Sequence, residues 1–210
     1  MALRMDMHIH STHSGDSRMS IDEILESARR SGLHGIAITD HNEIAGALEA
    51  KRKSKDLIIV VGEEIKTLQG ELLAYNIKKR IEPFMPIEET IEAARKQGGL
   101  IAISHPFDMF RSDAVRNPEV LERIAKKLDF VEINGRSLPE SNRKAKEFAQ
   151  RHGIPLIAGS DAHTPMEIGT TYTIFHGKPL CRRTDISVSA STLELLGRLF
   201  RTKLYKVLGI

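Results

Sequence analysis

Near its start the chain carries two histidines, His8 and His10, which lie one residue apart at the end of an apolar run, and Asp16 follows. In a strand, residues i and i+2 point to the same face, so both imidazoles would project together from one strand end. Asp161 and His163 repeat this spacing after another apolar run. Imidazole and carboxylate are ligands for zinc, manganese and iron(II), although a single pair is as typical of an exposed strand end as of a metal site.

Polar side chains of this kind lie at the carboxyl ends of six predicted strands. They are His8 and His10, Thr39, Asp40 and His41, Glu63 and Glu64, His105, Glu132 and Asn134, and Asp161 and His163. The carboxyl ends of barrel strands meet at one face, where active sites lie, so we expect these side chains to converge there. Burying so many ionisable groups together is costly unless cations compensate them. The number of ligands favours two or three metal ions with Glu64 as the bridge, an arrangement suited to in-line attack on phosphorus.

The elements that must position these residues are short aliphatic strands that alternate with amphipathic helices. We predict strands over residues 3–9, 35–39, 57–61, 100–104, 129–133, 155–159 and 171–175, with a hairpin excursion over 63–77. Helices are predicted over 20–32, 42–54, 86–99, from Pro118 onward, over 141–152 and over 191–208. The first of these helices begins at Ser20, with Glu23 completing a capping box.

Alternating strands and helices imply a parallel sheet covered by helices, and seven strands favour a barrel over an open sheet. The turn after the first strand has no G-x-G-x-x-G, which argues against a dinucleotide-binding fold. A chain of 210 residues with 40% apolar content fits one domain, so residues 1–210 are predicted to form a single domain. Residues 107–117 are predicted to form a loop over the site, and the C-terminal helical segment, about 190–208, is predicted to pack on the barrel.

Composition narrows the possible partners and cofactors. Cys181 is the only cysteine, so any metal ion must be held by histidine and carboxylate rather than by a thiolate cluster. A net charge of +3 does not indicate a dedicated nucleic-acid binder. The chain shows neither a membrane-length apolar run nor a signal peptide's apolar core, so we expect no membrane association and a cytoplasmic location. The oligomeric state stays open.

Seven motifs, in order along the chain, together resemble the polymerase-and-histidinol-phosphatase (PHP) family of metal-dependent phosphoesterases. They are HIH, Asp16 within HSTHSGDS, ITDHN, VGEEI, ISHPF, VEINGRS and GSDAH, and the likeness runs from about residue 5 to 176. The resemblance implies a distorted seven-stranded βα barrel, TIM-like in form, with up to three metal ions. The final 30 or so residues carry no part of it.

The resemblance also implies which residues bind each metal ion. His8, His10, Glu64 and Asp161 would hold the first; Glu64, His105 and Asn134 the second; and Asp16, His41 and His163 the third. Glu64 is preferred to Glu63 because the family pattern is glycine, any residue, glutamate, counted here from Gly62. Where several members have a histidine on the fifth strand, this chain has Asn134, a weaker neutral oxygen ligand for the second ion.

The resulting hypothesis is a metal-dependent phosphoesterase that hydrolyses a phosphomonoester or small phosphodiester, such as a nucleotide, a bisphosphate or a sugar or amino-alcohol phosphate. Hydroxide generated at a centre of two or three zinc, manganese or iron ions would attack phosphorus. Asp161, His41 and His163 are the candidate catalytic residues, and Arg136 is the candidate phosphate-binding residue. Two alternatives stay open: an exonuclease or nucleic-acid-associated PHP protein, and an amidohydrolase-type metallohydrolase, which also begins with H-x-H on its first strand.

Overall fold

Eight strands close into a barrel in the computed structural model of the chain, which describes residues 2–188. The strands are β1 (Ala2–Ile9), β2 (Gly35–Ile38), β3 (Ile58–Thr67), β4 (Gly70–Tyr75), β5 (Leu100–Ile103), β6 (Phe130–Asn134), β7 (Leu156–Gly159), β8 (Thr171–His176) and β9 (Thr184–Val188). The helices are α1 (Ile21–Arg30), α2 (Ala45–Lys53), α3 (Ile87–Lys96), α4 (Pro118–Ile124) and α5 (Pro139–His152). Antiparallel pairing of β8 with β1 closes the barrel, and β9 pairs with β8 outside it.

The predicted α/β barrel is confirmed, but its wall has eight strands because the hairpin is part of it. β3 continues to Thr67, and β4 returns antiparallel between β3 and β5. The turn places Gly70, with φ of 134°, against the backbone of Asp113, where a Cβ would approach Asp113 O to 2.8 Å. Glycine is therefore required at this turn. The remaining wall is parallel between β1, β2 and β3 and between β5, β6 and β7.

The helices cover the outer face of the barrel through apolar stripes. In α1, Ser20 and Glu23 form the predicted capping box, and Ile21, Ile24 and Leu25 are buried. α4 begins with Asn117, whose side chain accepts hydrogen bonds from two backbone N–H groups of the first turn. These helices and the outward-facing strand residues form one large core between wall and helices.

The barrel interior divides into an apolar half and a polar half. The apolar half contains Met5, Met7, Val60, Leu73, Tyr75, Phe130 and Phe175 among others. On two strands, the residue two positions closer to the other end of the barrel is an acid. Glu132 follows Phe130 on β6, and Glu71 precedes Leu73 on β4. Because alternate strand residues share a face, these acids also point inward. The apolar half thus forms a floor beneath a polar mouth.

An irregularity in β1 brings its histidines to that mouth. Asp6 lies opposite Ile36 on β2, but Ile9 lies opposite Ile38, so β1 has one extra residue between these pairs. Met5 and Met7 face the barrel interior, and strict alternation would then turn His8 and His10 outward. The extra residue reverses the alternation, as a β-bulge does, and aims both imidazoles into the mouth.

We expect Gly159→Ala to destabilise the barrel by about 1–3 kcal/mol, because it overpacks the contact between β7 and β1. A Cβ at Gly159 would lie 2.4 Å from His8 Cβ and 2.5 Å from His8 N. Gly98→Ala is the matched control: its Cβ meets no atom within 4 Å, and its φ of 79° adds only about 1 kcal/mol of left-handed strain. Urea unfolding measures both variants, and equal losses of stability would contradict the overpacking argument.

Three further predictions concern segments away from the strands. Residues 104–117 contain neither helix nor strand, and they include residues 107–117, which were predicted to form the loop over the site. Within the described range, none of the helices has the length and apolar character needed to cross a membrane. The predicted helix at 191–208 lies outside the described residues, and so does its predicted packing on the barrel.

Candidate metal centre

The strand ends bring nearly all the predicted ligands together at the barrel mouth. His8, His10, Glu64, His105 and Asp161 are buried there, whereas the side chains of His41 and His163 are 27% and 10% exposed. Three groups of side chains have one ligand atom each within 4.8 Å of the others: His8, His10 and Asp161; Glu64, Glu71 and His105; and His10, Asp16, His41 and His163. His10 belongs to two of these groups, so the groups are adjoining parts of one centre.

The first group forms around the two histidines of β1. Their Nε2 atoms lie 2.9 Å apart. Asp161 Oδ1 is 3.3 Å from His10 Nε2 and 3.7 Å from His8 Nε2. Glu64 Oε2 approaches the same two nitrogens to 3.2 and 3.3 Å. These are the four residues that the family resemblance assigns to the first metal ion.

The second group contains an acid that the sequence analysis missed. His105 Nε2 lies 3.0 Å from Glu64 Oε1 and 3.3 Å from Glu71 Oε2. Glu71 is only 4% exposed. Ligands were expected at the carboxyl ends of strands, but β4 runs antiparallel, so its amino end lies at the mouth. Glu71 lies two residues before Leu73 and therefore on the same face of β4, and this spacing was the sequence feature that could have indicated it.

The third group lies nearest to solvent. Asp16 Oδ2 is 3.1 Å from His163 Nε2 and 3.4 Å from His41 Nε2. His41 Nδ1 is also 3.2 Å from Glu64 Oε2. Glu64 therefore contacts side chains of all three groups, which is the position expected of a bridging carboxylate.

Three histidines are oriented through the nitrogen that faces away from the centre. His8 Nδ1 lies 2.6 Å from Glu132 Oε1, His10 Nδ1 lies 2.9 Å from Ser14 Oγ, and His163 Nδ1 lies 2.9 Å from the backbone oxygen of Asp161. An imidazole that donates from Nδ1, as those of His8 and His10 can to Glu132 and Ser14, presents the lone pair of Nε2 on the other side. His163 Nδ1 also lies 2.8 Å from Arg136 Nη1, which can only donate, so both contacts position this ring. All three Nε2 atoms face the cluster. Glu132 was noted at its strand end, but its support of His8 was not predicted.

Asn134 lies beside the acids rather than beside His105. Its Nδ2 donates to Glu132 Oε2 and Asp161 Oδ2, each at 3.3 Å. Its Oδ1 accepts a hydrogen bond from the backbone N–H of Arg136 at 2.8 Å. The amide oxygen that a metal ion would need is thus engaged with the backbone. Its role as a ligand of the second ion stays a prediction.

Two arginines lie at the centre in different settings. Arg136 is 3% exposed, and its Nη1 lies 2.8 Å from His163 Nδ1 and 3.3 Å from the backbone oxygen of Asp161. Arg111, from the 104–117 loop, donates to Asp161 Oδ2 and remains 22% exposed at the mouth. A phosphate contact by Arg136 stays a prediction. Arg111 is the guanidinium that reaches the open side, and the sequence analysis placed it only within a loop.

The electrostatics of the cluster are those of closely packed opposite charges. Burial lowers the pKa of His10, but hydrogen bonds with Asp161 and Glu64 outweigh this effect and raise the pKa to about 9. Burial disfavours the charged form of Asp161, yet Arg111 and His8 hold its pKa well below the usual range. For His163, burial and the neighbouring His10 lower the pKa. Both effects disfavour the charged form of the His163 imidazole.

The residues present fit divalent metal ions. Asp161 Oδ1 is buried and has no well-aligned hydrogen-bond partner among the described residues, although three imidazole nitrogens lie within 3.7 Å. The donor set is imidazole and carboxylate throughout, which suits zinc, manganese or iron(II). Five acids converge here, namely Asp16, Glu64, Glu71, Glu132 and Asp161, and Arg111 and Arg136 are the arginines described beside them. Cations would relieve the repulsion between these acids.

Comparison with known proteins gives consistent relatives. The family model described as PHP-associated matches residues 139–181, which contain Asp161 and His163. An uncharacterized protein of Methanocaldococcus jannaschii is 31% identical over 189 residues, covering 88% of this chain and 76% of that protein. A probable phosphatase of Caldicellulosiruptor saccharolyticus is 24% identical over 203 residues, covering 80% of this chain and 83% of that protein.

A solved structure shares the fold. It is a two-domain protein from Bacteroides vulgatus that contains a predicted PHP-like metal-dependent phosphoesterase, and it matches 96% of this chain and 70% of its own with a TM-score of 0.73. Sequence identity between the two is 19%. The likeness supports the barrel architecture.

Proposed function

The chain belongs to the PHP family, and on that premise we propose that it is a metal-dependent phosphoesterase acting on a small phosphorylated substrate. The observation that carries the proposal is the sharing of Glu64 among three groups of metal-competent side chains at one barrel mouth. Clustered divalent ions are a common solution for phosphoryl hydrolysis. The related probable phosphatase of Caldicellulosiruptor saccharolyticus supports the same reaction class.

The ligand sets we propose follow the three groups. His8, His10, Glu64 and Asp161 would hold one ion; Glu64, His105 and Glu71, or Asn134 in place of Glu71, a second; and Asp16, His41 and His163 a third. Zinc, manganese or iron would supply activated water and charge stabilisation of the phosphoryl oxygens when bound. The chain's own contribution is to fix the imidazoles through Glu132, Ser14 and the backbone of Asp161.

The residues nearest to solvent are assigned to the substrate. Arg111 extends to the mouth, where its guanidinium would bind phosphoryl oxygens. Among the histidines of the centre, His41 and His163 are the two that are partly exposed. They would transfer a proton to the leaving oxygen when they do not hold an ion. Asp161 positions Arg111 through one carboxylate oxygen and faces His8 and His10 with the other.

Phosphate release is the direct test. Protein stripped with EDTA is assayed against mononucleotides, nucleoside bisphosphates, sugar phosphates and short oligonucleotides, with and without added manganese or zinc. We expect release from at least one substrate class only when the cation is present, and elemental analysis of the purified protein should find a bound transition metal. Release that is unchanged by EDTA, or no release from any substrate with either metal, would contradict the proposal.

A further inference from the structure

The barrel mouth has an apolar rim. Among residues 2–188, seven large hydrophobic side chains are exposed, and four of them, Leu68, Met109, Phe110 and Met166, lie on segments that leave the mouth end of the barrel. A fifth, Phe84, lies on the segment after β4, which returns to the end of β3, and these five side chains are each between 58 and 78% exposed. The other two, Ile58 and Val188, begin β3 at the opposite end and end β9 outside the barrel. Scattered exposed hydrophobics need no explanation, but a set gathered around one site does.

Backbone contacts show that part of this rim is continuous. Phe84 N donates to Lys66 O at 2.7 Å, which places Phe84 beside the end of β3 and the turn that carries Leu68. Lys66 Nζ in turn pairs with Asp113 Oδ1 at 2.9 Å. This ion pair joins the β3–β4 turn to the loop that carries Met109 and Phe110. The four apolar side chains, Leu68, Phe84, Met109 and Phe110, therefore lie on three adjoining segments on one side of the mouth.

The loop with Phe110 has a fixed base and a fixed tip. At the base, Phe107 N donates to Val115 O at 3.3 Å and Glu71 N donates to Asp113 O at 2.9 Å. At the tip, the Asp108 carboxylate accepts from Phe110 N at 2.9 Å and from Ser137 Oγ at 2.7 Å. Because the loop is held at both ends, the Phe110 side chain is exposed to solvent in a defined position.

Consecutive residues of this loop face opposite ways. The Arg111 guanidinium turns inward to Asp161, whereas the Phe110 ring, 63% exposed, stays outside. A phosphoryl group that enters from solvent and binds at Arg111 would leave its ester oxygen and alcohol portion on the solvent side, where the ring of the adjacent residue Phe110 is exposed. The group that meets the rim is thus the alcohol portion of the substrate.

We propose that the rim binds a planar aromatic group on the alcohol side of the phosphoester, so that the preferred substrates carry such a group, as nucleotides do. The inference rests on the proposed phosphoesterase function and specifies its substrate class. Aromatic faces stack on phenylalanine, and methionine adapts to them through favourable sulfur contacts. A bare sugar or amino alcohol would instead lose hydration of its polar groups against Phe110, Phe84 and the two methionines.

The test compares two substrates that differ only in the aromatic group: adenosine 5′-monophosphate and ribose 5-phosphate, with manganese-supplemented protein. We expect kcat/KM to be about tenfold or more higher for the nucleotide, as base stacking on an aromatic side chain provides. Phe110→Ala should remove most of that preference while changing kcat/KM for ribose 5-phosphate by less than about twofold, and Phe110→Tyr should restore it. Ile58→Ala, an exposed apolar change at the other barrel end, is the matched control and should leave the preference unchanged.

Equal kcat/KM for the two substrates, or equal losses on both in Phe110→Ala, would overturn the inference while leaving the phosphoesterase function intact. So would a protein dimer that Phe110→Ala dissociates without altering substrate preference, since the rim would then be a protein contact. A binding experiment distinguishes failure of this inference from failure of the proposed phosphoesterase function. Dissociation constants for both compounds are measured with calcium in place of manganese. If neither compound is hydrolysed, these two compounds are not substrates of the proposed phosphoesterase. The binding measurements then test the inference by themselves: tighter binding of the nucleotide would support it, and equal binding of the two compounds would contradict it.

Discussion

Asp161→Asn is expected to lower metal-dependent phosphate release by about a thousandfold or more, because it removes the negative charge that faces both His8 and His10. Asparagine is the informative replacement. Asp161 has φ of 55°, a left-handed conformation that asparagine tolerates and alanine does not. The variant therefore changes the charge without adding backbone strain. Turnover is measured at saturating manganese or zinc, and the fold is checked by circular dichroism.

The control for this variant is Asp56→Asn, an exposed acid on the outer surface that pairs with Arg29. It should leave turnover within about twofold of the wild-type value, because surface ion pairs contribute little. If metal-reconstituted Asp161→Asn kept a tenth or more of wild-type turnover, the placement of the chemistry at this cluster would be wrong.

Glu71→Gln is expected to lower the bound metal content by about one ion per chain and turnover by about a hundredfold. Glutamine keeps the size and one oxygen of glutamate, but it loses the charge that holds a divalent ion beside His105 and Glu64. Metal content is measured by elemental analysis after desalting, and affinity by calorimetric titration. Both readouts are independent of any substrate.

Asn134→Ala provides the comparison, since the family resemblance gives the second ion to Asn134. With its oxygen bonded to Arg136 N, Asn134 should be replaceable without loss of a metal ion, although stability should fall by about 1–3 kcal/mol from the lost buried hydrogen bonds. The reverse pattern, with metal lost in Asn134→Ala and kept in Glu71→Gln, would return the second ion to the set inferred from sequence.

The sequence predicts the parts of the centre that depend on local spacing. His8 and His10 project together as their i, i+2 spacing indicates, and the aliphatic strands that precede the predicted ligands form the barrel. Asp161 and His163 also reach the mouth, but they lie beyond the end of β7, where Asp161 has a left-handed backbone. The alternation of strands and helices likewise predicts the α/β architecture, because parallel strands require helical crossovers. These features are decided within a few residues of chain, where side-chain patterns are informative.

The sequence did not predict features that depend on strand direction or on a loop's path. Glu71 reaches the mouth because β4 runs against its neighbours, and the same reversal raises the number of barrel strands to eight. Arg111 enters the centre from a loop without regular structure, fixed by contacts such as Ser137 with Asp108 that are distant along the chain. Such long-range contacts leave no periodic pattern to detect.

The extra residue in β1 sets a condition for anyone who would move this centre into another scaffold. Asp6 and Ile9 match β2 residues that are only two apart, and the surplus residue between them rotates His8 and His10 toward the axis of the barrel. An engineer who kept Met5 and Met7 facing inward on a regular strand would find the rings of His8 and His10 on the helix-facing side, buried in the wrong layer. The transplantable unit is the whole irregular strand together with Gly159, the neighbour that leaves it room.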